Sequence, residues 1–299
     1  MHERKLMKIK NHEALVAFLF LLPMTVVFVF FKYLPLIDNF RIALTSWNLF
    51  SPKRYVGFAN FKALLTSSLF YKILGNTFFF TIMSTAISVA LGFILSVLLF
   101  HRNGKGGKIL KTLFFIPNVT TASAVAILWM WVFDPDFGLS GQICTLLGIK
   151  SPRWLLDERY AIWVVIALSV WRSVGYVMLI FESGLSGIPD EIYEAAKIDG
   201  ANGIQTLFGI TIPLLSSTSY FLITTSLIQT MQVFDIVSVM TGGGPFNSTN
   251  VMNLYIYQMA FARNKAGYAA ALSVMLFLIL LILTVVQRRL APEKKVEYA

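Results

Sequence analysis

The chain has 299 residues, 57% of them hydrophobic, including 26 Phe, with a formal net charge of +10 and a mean hydropathy of +0.70. So apolar a composition excludes an ordinary soluble domain, and a single cysteine, Cys144, excludes an internal disulfide and any cysteine-based metal site. The basic excess reads as a topology signal and as contact with anionic membrane lipids, not as a nucleic-acid footprint.

A hydrocarbon core of about 30 Å takes about 20 apolar residues of helix to cross, and six stretches qualify. The first, 14–31, follows a basic segment. No small-residue cleavage site comes after it and Tyr33-Leu34-Pro35 leads onward, so it reads as a retained helix and not as a removable signal peptide. Residues 32–71, carrying Trp47, Tyr55, Phe58 and Phe61, are expected to fold as short helices over an outer mouth. They are too few to form a ligand-capturing domain. Stretches 78–100 and 113–133 carry no charge, 160–181 contains only Arg172, and 204–234 and 267–286 are again uncharged. A β-barrel would alternate apolar and polar residues in segments of about ten, and these runs are too long and continuous. The expected fold class is therefore an all-α membrane protein with six transmembrane helices.

Orientation follows from basic residues near the helix ends. Arg4, Lys5, Lys8 and Lys10 precede the first span, Arg102, Lys105, Lys108 and Lys111 fill the second connection, and Arg288, Arg289, Lys294 and Lys295 follow the last span. Both termini are thus expected in the cytoplasm, with 1–13 and 288–299 as flanking segments around a six-helix transmembrane body over 14–287. By parity 32–71, 134–159 and about 235–266 lie outside, and 182–203 lies inside. No internal repeat or separable soluble domain is visible.

That last inner loop breaks the basic pattern: Glu182, Asp190, Glu191, Glu194 and Asp199 are five of the fifteen acids of the chain, with only Lys197 among them. Pro189 can open a short helix with Asp190 and Glu191 in its favourable first turn, and Gly200 and Gly203 can end it. Ile192, Ala195, Ala196 and Asp199 then fall at i, i+3, i+4 and i+7. This makes a narrow face of small residues ending in an acid, suited to a groove on a partner. The alternative is an amphipathic connector lying at the lipid headgroups.

Glu194-Ala195-Ala196, Asp199-Gly200-Ala201 and Ile210-x-Ile212-Pro213 resemble the EAA signature of permease subunits of binding-protein-dependent ATP-binding-cassette importers. The resemblance implies the type I importer permease fold. It also implies a coupling loop, about 183–213, of two short helices that dock in a cleft of the ATPase. Glu194 would pair with a cation of that subunit, Ala195 and Ala196 would allow close approach, and Gly200 would make the turn. Ile212 stands where many relatives have Leu, which keeps the shape.

Ala17-Phe18-Leu19-Phe20-Leu21-Leu22-Pro23, Ser46-Trp47, Ile116-Pro117, Thr241-Gly242-Gly243-Gly244-Pro245, Tyr255, Tyr257 and Ala260-Phe261 look like the first permease of carbohydrate importers. That is the subunit similar to the maltose, lactose-type and glycerol-phosphate permeases. Gly242, Gly243, Gly244 and Pro245 read either as a shaped outer loop near where a substrate-binding protein docks or as a plain tight turn.

A permeation path must be polar within an apolar solvent. Asn118, Tyr176, Ser226 and Gln229 supply the amide, hydroxyl and aromatic chemistry that recognises sugars. The carbohydrate-permease resemblance points to Ser173, Tyr176, Ser226 and Thr230 on the spans flanking the loop, with Asn118 after Pro117. Gln229 and Gln232 are added on chemistry. Against this stands the common use of Ser and Thr to pack helices or to bond their own backbone. Arg172 is unusual, since a mid-span charge costs about 2.5–3.5 kcal/mol on insertion scales. It either contacts an anionic substrate, such as glycerol phosphate or a uronic sugar, or fixes sugar hydroxyls, or pairs with a carboxylate of a partner subunit.

Several motifs lead nowhere. Gly104-Lys105-Gly106-Gly107-Lys108 lacks the Gly spacing and the Ser or Thr of a phosphate loop, so ATP and Mg belong to a separate ATPase and this chain needs no cofactor. His2, His12 and His101 lie in flanking segments, so no catalytic residue or metal site is expected. The resemblances together imply a permease subunit, not an enzyme, in a bacterial or archaeal cytoplasmic membrane. Its expected partners are a second similar permease, two ATPases, an extracytoplasmic binding protein, a sugar and membrane lipids. A stand-alone secondary transporter would need repeats and a mid-membrane acid, and a membrane enzyme would need clustered His, Asp or Glu at membrane depth.

Overall fold

A computed structural model describes residues 16–100, 102 and 104–290, and in it the chain is helical almost throughout. The basic residues expected before position 11 and after position 290 lie outside the described residues. Two compact units emerge, one holding the chain up to Thr66 with Gln258–Met275, the other Ser67–Tyr257 with the chain from Leu276 on.

The first unit begins with α1 (Val16–Ala43). The sequence ends this span near 31, yet the helix continues past Pro35. A π turn over Val29–Tyr33, closed by the Leu34 N–H donating to the Val29 carbonyl, absorbs the proline's missing donor just ahead of it. The expected short outer helices reduce to a small antiparallel pair, β1 (Thr45–Ser46) and β2 (Arg54–Tyr55), and one helix, α2 (Ala59–Leu65). Asn60 Nδ2 ties them to the helix end by donating to the carbonyls of Ala43 and Thr45 at 2.8 and 2.9 Å. Ala43 packs with Ala270, Ala271, Val274 and Phe61.

In the second unit α3 (Ser68–Phe100) is the axis. It is followed by α4 (Lys105–Val119), α5 (Ala122–Val132), α6 (Leu139–Leu146), α7 (Ala161–Ser186), α8 (Asp190–Ile198), α9 (Gly203–Leu214), α10 (Ser216–Met231), α11 (Asp235–Met240) and α12 (Met252–Tyr257). The final helix, α13 (Ala266–Leu290), runs through both units. The buried face of α3 carries Thr77, Thr81, Thr85, Ser88, Gly92 and Ser96, at steps of three or four. Small residues at that period let membrane helices approach closely, because between apolar helices in lipid it is contact, not water exclusion, that holds them. α7 packs along this face. Ser88 and Ser173 share a hydrogen bond of 2.7 Å, and Thr85 and Thr230 one of 3.2 Å, tying α3 to α7 and to α10. Gly175 brings α4 against α7 so closely that a Cβ there would lie 1.9 Å from the Phe114 carbonyl oxygen.

Among the described residues five helices are long and apolar enough to cross a membrane, and α4 with α5 makes a sixth if the bent pair is one span. The sequence reads 113–133 as continuous, whereas the two halves are bent by 103°. Thr120 and Thr121 take extended backbone angles, and Pro117 is buried in the last turn before them. The stretch 204–234 likewise divides. Its first part is α9, which contains a π turn (Leu207–Thr211) placed before Pro213 as the earlier one is before Pro35, and the spanning helix starts afresh at Ser216.

Candidate functional site

At the C-terminal end of α7 the chain turns at Pro189 into α8, with Asp190 and Glu191 in its first turn and Lys197 in its last, each complementing the helix dipole. Gly200, at φ +78°, makes the turn that a β-carbon would strain. Asn202 then caps α9 in a reciprocal box with Gln205: the Gln205 N–H donates to Asn202 Oδ1 at 2.9 Å and the Asn202 N–H to Gln205 Oε1 at 2.8 Å. Two short helices joined by a glycine turn result.

The face expected from spacing is corrected by packing. Ile192 and Tyr193 pack against the core cluster of Leu185, Ile188 and Leu215, and Ala196 is only 6% exposed. The residues turned outward are Asp190, Glu191, Glu194, Ala195, Lys197, Ile198 and Asp199. Ile198, 85% exposed, and Ile204 and Phe208 on α9 add exposed apolar side chains that the small-residue pattern did not mark. Glu182 does not join this acidic surface. It pairs with Lys111 and so links α7 to α4 inside the bundle.

Near the midpoint of α3, where its hydroxyls meet Ser173 and Thr230, a cavity of about 420 Å³ opens between α4, α7, α10 and α11. This is the size range of small-molecule sites. Asn118, Arg172, Ser173, Gln229, Thr230 and Gln232 all line it, joined by Ser169, Phe234 and Asp235. Tyr176 and Ser226 are not among its lining residues. Tyr176 lies one turn further along α7, packed on the apolar cluster near the short helices, and Ser226 offers its carbonyl to Thr230 Oγ1 at 2.7 Å. The aromatic ring on the cavity is instead Phe234, set against Tyr257 with ring centroids 5.2 Å apart. Gln229, Gln232 and Asp235 recur every three residues, a spacing that could have revealed the acid.

Arg172 has a use that the sequence did not suggest. Its Nη2 donates to the Thr120 carbonyl at 3.3 Å, at the break between α4 and α5. A cation thus sits at the negative end of the α4 dipole, where carbonyls lack helical partners. Thr120 Oγ1 donates to the Pro117 carbonyl at 2.7 Å and satisfies another.

At the opposite end of α3 the Gly-rich segment is a built loop. Gly242 and Gly243 have φ of +60° and +90°, and a β-carbon on Gly243 would lie 2.9 Å from Asn250 Cγ. Thr249 Oγ1 donates to the Gly244 carbonyl at 2.6 Å, and Asn76 Nδ2 to the carbonyls of Asn247 and Asn250 at 2.7 and 3.1 Å. Lys72 Nζ donates to the Phe246 carbonyl at 2.9 Å, which leaves the Phe246 ring largely exposed at the apex beside Pro245. No group of three or more potential metal ligands occurs among the described residues.

The family model of the binding-protein-dependent transport system inner membrane component matches residues 88–296, the region that contains the two short helices, the cavity and the glycine loop. The chain belongs to this family of transport permeases. The permease is 33% identical over 283 residues to a probable ABC transporter permease protein, YurN, of Bacillus subtilis, covering 93% of this chain and 97% of that one. It is 30% identical over 280 residues to the trehalose/maltose transport system permease protein MalF of Thermococcus litoralis, covering 93% and 94%. In fold it matches a chain of a bacterial ABC transporter involved in the import of the acidic polysaccharide alginate, with a TM-score of 0.84 at 22% identity over 98% of this chain and 99% of that one. A second structure of an alginate transporter is in complex with an alginate pentasaccharide-bound periplasmic protein.

Proposed function

We propose that this permease is one of two similar membrane subunits of an ATP-driven importer that takes up a sugar across a bacterial or archaeal cytoplasmic membrane. The observation that carries the reading is the pair of short helices α8 and α9, which present Glu194, Ala195, Ile198 and Asp199 outward at one end of the bundle while the polar cavity lies in its middle. In this reading the exposed face is the coupling surface. Glu194 meets a cation of an ATPase that binds ATP and Mg, Ala195 permits close approach, Ile198 adds an apolar anchor, and Gly200 fixes the angle between the helices. Ala196 supports the surface from within. Both termini and this loop face the cytoplasm, and the Gly242–Pro245 loop faces outward, where a loaded binding protein docks. The trehalose/maltose and alginate relatives support a carbohydrate cargo. The amides of Asn118, Gln229 and Gln232 supply hydrogen bonds to its hydroxyls, and Phe234 a ring for the apolar face of a pyranose.

The test is purification in mild detergent from the native membrane, in wild type and in Glu194→Lys. The wild-type permease is expected to bring down a second permease and an ATPase, and the variant to lose the ATPase while keeping the second permease. A wild-type chain that purifies alone and transports without ATP overturns the reading.

A further inference from the structure

We propose that Asp235 sets the charge selectivity of the central cavity, so that it accepts uncharged, hydroxyl-rich solutes and turns away carboxylated or phosphorylated ones. The inference rests on the sugar-permease reading of the same cavity and adds a class of sugar to it.

Among the described residues two titratable side chains line the cavity, Arg172 from α7 and Asp235 at the start of α11, and they differ in what surrounds them. Arg172 is already engaged. Its Nη2 donates to the Thr120 carbonyl, its Nε is buried without a partner, and its charge sits at the negative end of the α4 dipole, which offsets part of it. Asp235 is exposed. The two ion pairs found among the described residues, Lys111–Glu182 and Arg159–Asp157, do not include it. The candidate span runs from Ser216 to Met240, so Asp235, which the sequence reading leaves just outside it, stands within it. A carboxylate there is strongly disfavoured against lipid and belongs on a polar path, and it flanks Gln232 on the cavity wall.

An ionised carboxylate only accepts hydrogen bonds. Sugar hydroxyls donate to it, whereas a second carboxylate or a phosphate brings like charge into a space of low dielectric, where repulsion is felt over several ångströms. Arg172 alone would have favoured an anionic cargo. With the Arg172 charge offset in part by the α4 dipole, and Asp235 exposed and outside the two ion pairs found among the described residues, the carboxylate is the less compensated of the two charges.

The charge can be read without knowing the cargo. In a Cys144→Ser background, Gln232→Cys places one thiol beside Asp235. On the protein purified with whatever subunits accompany it, this thiol is modified by an ammonium-bearing and by a sulfonate-bearing methanethiosulfonate. Each rate is normalised to that of free mercaptoethanol. The cationic reagent is expected to win by about tenfold, Asp235→Asn to erase most of that preference, and Asp235→Glu to keep it. A faster anionic reagent, or a ratio that Asp235→Asn leaves unchanged, overturns the proposal. Uptake of a panel of neutral oligosaccharides, maltose among them, and of their glucuronic-acid counterparts by the assembled importer separates the two levels. Failure to take up any member of the neutral panel strikes the sugar reading, while uptake of an acidic sugar as fast as its neutral counterpart strikes the selectivity.

Discussion

Gly175 shows how little space separates the helices that shape the cavity. Its missing side chain lets the Phe114 backbone come within what would be 1.9 Å of a β-carbon, and Arg172, one turn earlier on α7, reaches the Thr120 carbonyl only because α4 lies that close. Gly175→Val forces the two backbones apart, an overpacking that costs about 1–3 kcal/mol. A lower melting temperature and a loss of monodisperse protein in size-exclusion chromatography are expected, while Gly106→Ala, in open space, leaves both unchanged. At this scale the sequence was partly legible. Asn118, Arg172, Gln229 and Gln232 declare themselves as polar groups in apolar runs, and they meet in one cavity. Tyr176 shares the helical spacing of Ser169 and Arg172 yet packs on an apolar cluster, because a period gives a direction around a helix and not a height along it. Ala196 has the same lesson: its neighbours Ile192 and Tyr193 need burial more, and they turn it inward.

Among the elements, the broken third span is the one that hydropathy conceals. Residues 113–133 carry no charge, and nothing in their mean hydropathy marks a 103° bend. The local signs are Pro117 with Asn118, Thr120 and Thr121, which compete for backbone hydrogen bonds and so weaken a helix there. Replacing Thr120 and Thr121 by Ala removes that competition and favours one continuous helix. Spin labels at positions 110 and 128 would then move from about 16 Å of backbone separation to about 27 Å, from 1.5 Å of rise per residue and the bend. Pulsed dipolar spectroscopy reads the change, and an unaltered distance would mean that packing against α7, not the two threonines, makes the break. The Lys111–Glu182 pair points to packing as a second contributor, since it clamps the start of α4 to the end of α7. The division at Leu215 was equally hidden, because α9 is as apolar as the span it precedes, and only its capping box and Pro213 announce a separate helix.

For the whole molecule, composition and run length sufficed for the class of fold, since a bilayer allows a chain of this hydropathy few alternatives. The acidic loop was legible for the opposite reason: five of the fifteen acids of a basic chain fall in this one inner loop, where the other inner segments carry Lys and Arg. What the sequence could not give is the joint placement of Arg172 and Asp235 on one cavity wall, since they lie on α7 and α11, which pack together through the apolar cluster that holds Leu168, Val170, Ile236 and Val237. That energy enters at α8 and moves a solute through the cavity is tested by reconstituting the permease with its co-purifying subunits in liposomes. Uptake of a panel of radiolabelled neutral oligosaccharides is then followed with and without internal ATP and external binding protein. Accumulation that requires both, and that Glu194→Lys abolishes, is the expected result; accumulation that persists without ATP contradicts the account.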